Sequence, residues 1–117
     1  MIHLNESRRA EAIEAGWIAH MDQLPDGEQF YRDGCKDWQV IAVCDDDKVI
    51  GALYARNGVI HLGIVPEYRK RWASRRVIRS MLAYGNKTNV RDGSPERIEF
   101  ANRLGFVRQG DTYEFHR

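Results

Sequence analysis

The densest chemistry in this chain lies where an apolar run, Val59-Ile60-His61-Leu62-Gly63-Ile64-Val65, passes through Pro66-Glu67-Tyr68 into Arg69-Lys70-Arg71-Trp72-Ala73-Ser74-Arg75-Arg76. With Arg79, six cationic side chains fall in eleven residues. A turn between a strand and a helix offers successive backbone N–H groups and the positive end of a helix dipole, so added cations make it suited to a phosphate or pyrophosphate. His61 lies on the same run with the side-chain parity of Gly63, and imidazole titrates near neutrality, which makes it a candidate general base. Trp72 stands where close backbone approach to an anion would favour glycine. Its other reading is a ring packed under the following helix.

Other reactive side chains are dispersed. Cys35, in a polar segment, and Cys44, in an apolar one, form neither a disulfide framework nor a metal-ligand pattern and read as reduced thiols. His3, His20, His61 and His116 share no ligand spacing, so no metal site is expected. Asp45-Asp46-Asp47 lacks the alternating oxygens, glycine and distal Glu of a calcium loop and reads as a solvated turn.

The 117 residues, 43% hydrophobic and 30% charged, suit one globular domain spanning 1–117. No apolar run approaches the ~18 residues of a membrane span, and the first residues lack a secretion signal's apolar stretch; a cytoplasmic location, or packaging from it, is expected. The net charge of +1 conceals a division: residues 1–48 carry eleven acids against five bases, and residues 49–117 thirteen bases against six acids. That dipole gives one side a preference for anions.

The elements that position these residues follow from periodicity. Ala10, Ile13, Trp17, Met21 and Leu24 recur at helical spacing, with Asn5 as N-cap and Pro25 as terminator. Residues 25–37 read as a loop with one short helical turn at most, its Phe30 and Tyr31 free to cover a core edge or line a site. Strands are expected at 38–44, 48–56 and 59–65, with Asn57-Gly58 as a hairpin turn. A helix over 73–84 presents Val77, Ile78, Met81 and Leu82 on one stripe. After a short stretch at 88–91, a second helix starts at Ser94-Pro95 and stops at Gly105, and a last strand covers 112–116. The sum is one α+β domain.

Two segments carry a family resemblance. VIHLGIVPEYRKRWASRRVIRSML resembles the central motif of the GNAT acyltransferase superfamily, and SPERIEFANRLGFVRQG is similar to its C-terminal signature. Together with their connecting segment they cover residues 59–110. The resemblance implies a GNAT-like (acyl-CoA N-acyltransferase) domain with a mixed, mostly antiparallel sheet flanked by helices. It implies acetyl-CoA as cosubstrate, with the amides of Ile64 and Val65 at the thioester and pantetheine, and with Arg69, Lys70, Arg71, Trp72, Ala73 and Ser74 at the pyrophosphate. It also implies a bulge in the site strand, for which Gly63 is suited. The chain departs from the family's pattern at Trp72, where the loop carries glycine, and at Ala101, where a tyrosine acid is common; Tyr68, Tyr84 and Tyr113 are the possible substitutes.

A narrower resemblance is to small bacteriophage-encoded GNAT-like proteins, which sets two functions side by side. One is an N-acetyltransferase acting on an amine or lysine-bearing acceptor, with His61 as base. The other is a noncatalytic module bound to a virion or host protein, with an exposed apolar patch of Phe30, Tyr31 and Trp38. Nucleic acid as main partner is disfavoured by the near-neutral charge and the lack of an aromatic platform.

Overall fold

The computed structural model describes residues 1–21, 27–88, 102, 105–109 and 112–115. The elements run β1 (Ile2–Asn5), a 3-10 turn (Glu6–Arg8), α1 (Arg9–His20), α2 (Glu28–Cys35), β2 (Gln39–Asp45), β3 (Lys48–Arg56) and β4 (Val59–Ile64). A second 3-10 turn (Pro66–Tyr68) then leads to α3 (Arg75–Leu82), β5 (Lys87–Thr88), β6 (Phe106–Gln109) and β7 (Thr112–Phe115). One sheet has the order β1-β2-β3-β4-β5-β7-β6, in which, among the described residues, only the β4–β5 pair is parallel. The helix expected from Ser94 and its Ala101 lie outside the described residues. Gly105 at its expected end does have the left-handed φ of 98°.

The meander forms for the reasons its sequence gives. Asn57 and Gly58 have φ of 51° and 80°, the paired positive values of the tight turn whose twist matches two antiparallel strands. Alternation along the strands then fills two layers. Ile41, Val43, Leu53 and Ala55 join Trp72, Val77 and Met81, so α3 covers one face. Val40, Ala42, Cys44, Ala52 and Tyr54 join Ala12, Tyr31 and Cys35, so α1 and α2 cover the other. The register of β3 and β4 is unbroken through Ala52↔Gly63, which corrects the expected bulge at Gly63. The irregularity falls on β3 instead, where Ile50 is the additional residue between the pairs Val43↔Gly51 and Cys44↔Val49.

Three further readings change. Asn5 caps the first helical turn as expected, accepting from Ser7 N–H at 2.9 Å, but α1 buries Ala12, Ala15, Gly16 and Ala19 rather than the stripe through Ala10 and Met21, both exposed. Small side chains let the helix backbone lie close on the sheet, and bulk comes from the sheet side. Residues 28–35 form a two-turn helix where a loop was expected; Arg9 of α1 caps its end by donating to Cys35 O at 2.6 Å and Trp38 O at 2.9 Å. The patch of Phe30, Tyr31 and Trp38 does not exist as such, because Tyr31 is buried and Trp38 half-buried, leaving only Phe30 exposed. Both cysteines are free and buried.

Candidate functional site

The site residues read from the sequence converge around the end of β4. Val65 N–H donates to Ile50 O at 2.9 Å, extending the ladder by one rung beyond Gly51↔Ile64. In an antiparallel ladder successive amides alternate in direction, so the N–H groups of Leu62 and Ile64 point away from β3. On that outer edge β4 is paired only at Val59↔Lys87 among the described residues. Ile64 thus offers an outward amide, whereas Val65, expected beside it, has its amide turned into the sheet.

The cationic turn is internally bonded. Tyr68, Arg69 and Arg71 donate their N–H groups to Val65 O, Pro66 O and Tyr68 O at 3.0, 3.4 and 2.9 Å. Trp72, only 3% exposed, packs into the core with Val77 and Met81, so its ring does not crowd the outer surface of the turn. That anchoring leaves Ala73 and Ser74 exposed in front of α3. Ser74 is extended (φ −146°, ψ 162°) and caps the helix through Oγ, which accepts Val77 N–H at 3.3 Å. The remaining first-turn N–H groups of α3 have no partner within the helix and face its entrance.

The cations divide into two sets. Arg69 Nη2 donates to Ala19 O at 3.0 Å and its Nε to Ile64 O at 3.3 Å, fastening the last turn of α1 to the end of β4. Arg71 donates to Glu67 O at 3.0 Å and lies over the Tyr68 ring at 4.9 Å, opposite an acidic neighbour, since Tyr68 donates to Asp45 Oδ2 at 3.0 Å. Arg76 contacts Met1 Sδ. Lys70, Arg75 and Arg79 are exposed and have no partner among the described residues. Tyr68 and Tyr84 both serve carboxylates. The bond to Asp45 raises the Tyr68 phenol, and the 2.6 Å bond to Glu6 pushes Tyr84 up to about 12. The Tyr113 side chain lies outside the described residues.

Sequence reasoning reached the other side of β4 at His61 but passed over His20. His61 is half-buried, pairs across from Tyr54 and meets the Trp38 ring edge-on at 5.3 Å. Behind it Tyr54 Oη and Tyr31 Oη are 2.6 Å apart and Tyr31 donates onward to Ile13 O at 2.9 Å, which leaves Tyr54 as donor to Tyr31. Burial is the first cause that raises both phenols, so both stay protonated. His20, the last residue of α1, lies over Gly63: a Cβ on that glycine would be 2.7 Å from His20 Nε2. The signal was present in the sequence, because a glycine within a strand marks close approach as readily as a bulge. An open pocket of about 370 Å³ lies elsewhere, between β1 and α3, lined by residues that include His3, Arg76 and Tyr84.

No protein-family model matches the chain, and no curated protein matches it in sequence. Solved structures do match. The apo form of YjaB from Escherichia coli superposes with a TM-score of 0.66 at 22% identity, covering 94% of this chain and 85% of that one. The PaiA N-acetyltransferase from Thermoplasma acidophilum, solved with coenzyme A, gives 0.62 at 14% identity over 97% and 96%. A chain from Desulfovibrio desulfuricans assigned to the GNAT acetyltransferases gives 0.50 at 12% identity over 97% and 96%. The chain has the GNAT fold.

Proposed function

We propose that this GNAT-fold chain is an acetyl-CoA-dependent N-acyltransferase. The observation that carries the reading is the run from the outward Ile64 amide through a preformed cationic turn to the Ser74-capped entrance of α3. Ile64 N–H is a donor for the thioester carbonyl or a pantetheine amide, and the α3 entrance with Lys70 and Arg75 is the anion-binding end. Arg69 and Arg71 shape the turn rather than meet the ligand, and Trp72 anchors it from below. Acetyl-CoA, when bound, supplies the activated acyl group; the chain's part is to hold it in place and exclude competing orientations. The acidic first half of the sequence suits a cationic amine or lysine-bearing acceptor. The CoA-bound neighbour PaiA supports acyl-CoA as the ligand class.

Calorimetric titration with acetyl-CoA and with CoA tests this. Micromolar binding, about −8 kcal/mol, that weakens at least tenfold in the Lys70→Ala/Arg75→Ala double variant is expected. Absence of heat at millimolar ligand sinks the reading.

The commitment of Arg69 and Arg71 to the fold favours a second reading, a noncatalytic partner-binding module such as a virion component or a host-protein ligand. It gains nothing from the expected aromatic patch, of which only Phe30 is exposed. A nucleic-acid role is weakened too, since Arg69, Arg71 and Arg76 all have partners within the chain.

A further inference from the structure

Resting on the acyltransferase reading, we propose that His20, and not His61, accepts the proton of the acceptor ammonium. The two imidazoles flank the site strand differently. His61 Nε2 and Nδ1 belong to a ring wedged edge-on against Trp38, on the residue paired with Tyr54, three positions before Ile64. His20 Nε2 lies over Gly63, the residue immediately before the outward Ile64 amide. Only glycine permits that approach, since a Cβ would come to 2.7 Å from Nε2 and 3.3 Å from Cδ2.

Placement of His20 is held from three sides. Arg69 ties Ala19 O, one residue away, to Ile64 O, so the helix end and strand end move together. The Tyr31 and Tyr54 rings stand at 6.1 Å from the imidazole, and Gly16 leaves room for their hydroxyls. Tyr31 of α2 and Tyr54 of β3 face the imidazole, Gly63 of β4 lies under it, and Arg69 of the turn bonds the neighbouring Ala19 O.

The chemistry balances without another reactant. The acceptor ammonium gives one proton to His20 Nε2, directly or through water, and the freed amine attacks the acyl carbon. The C–N bond forms, the C–S bond breaks, and the amine's second proton is lost as the amide is made. One of the two protons ends on the leaving thiolate and the other in solvent. Arg69 and Gly63 are positioning residues for this step.

The decisive measurement is the histidine ring NMR spectrum of the full chain during titration with acetyl-CoA, the His20 signal being the one absent in His20→Gln. We expect that signal to move with the Ile64 amide while His61 stays near its starting position. Activity is read with poly-L-lysine as the amine probe. There His20→Gln is expected to lower kcat/KM about 100-fold, to abolish its acidic limb with pH and to leave acetyl-CoA affinity unchanged, and His61→Gln to change kcat/KM less than about threefold. An unmoved His20 signal in a protein that binds acetyl-CoA overturns this assignment alone, as does a larger loss in His61→Gln. Failure of the wild type to bind acetyl-CoA overturns the acyltransferase reading and this assignment with it.

Discussion

The two faces of the sheet are built on opposite plans. The α3 face is filled by large apolar side chains, with Trp72, Val77 and Met81 of the turn and helix packed on Ile41, Val43 and Leu53. The α1/α2 face sets small buried helix residues, two hydrogen-bonded tyrosines and two imidazoles beside Val40, Trp17 and Trp38. Apolar packing is non-directional and tolerates adjustment, whereas hydroxyl and imidazole contacts fix distances. The first face therefore supplies cohesion under the turn, and the second supplies placement beside β4.

That contrast can be broken by substitution. Trp72→Ala should have the largest effect, a loss of about 3–5 kcal/mol in urea unfolding. Gly16→Ala comes next at about 1–3 kcal/mol, since the new Cβ would overlap both Tyr54 Oη and Tyr31 Oη. If Gly16→Ala proves as mild as an exposed alanine substitution, the tight-tolerance description of that face is wrong. Tyr54→Phe removes the donor to Tyr31 and should cost about 0.5–1.5 kcal/mol.

The same pair makes the face sensitive to alkali. Burial holds both folded phenols above their unfolded value, so their contribution is complete below about pH 10 and is lost as pH rises from there toward the folded values. The urea midpoint should therefore fall more steeply between about pH 9 and 11 in the wild type than in Tyr54→Phe. The smallest effect is expected on the outer turn: Lys70→Ala and Arg75→Ala should stay within about 0.5 kcal/mol of wild type. A larger shift in either would mean that these cations belong to the fold as Arg69 does.

Legibility from sequence follows the same division. Where a local signal and its cause coincide, as at Asn57-Gly58, the meander's strands and the positive φ of Gly105, reading and structure agree. The helix start read at Ala73 shifts two residues because Ser74 is the cap. The four residues of β1 carry too little alternation to separate from the helix that follows, and Gly34 with the acids around it masked α2. The buried stripe of α1 was misread because size, not hydrophobicity, selects the residues facing the tyrosines. Within the site, the direction of an amide is a property of register, so Ile64 and Val65 were indistinguishable until Val65 N–H was seen on Ile50 O. Likewise the partner of an arginine lies on another element, and nothing in residues 69–71 points to Ala19 O fifty residues away.

Arg69's two bonds to carbonyls, with the three N–H bonds inside the turn, have a thermodynamic consequence. The conformational entropy of this segment is surrendered when the chain folds, not when a ligand arrives. A flexible phosphate-binding loop sacrifices part of its interaction energy to ordering, at about 0.5–1.5 kcal/mol for each mobile side chain immobilised. Here that part is already spent, so an anion meeting the α3 entrance should bind with little change in backbone order, and its affinity should track local charge and salt concentration more than temperature.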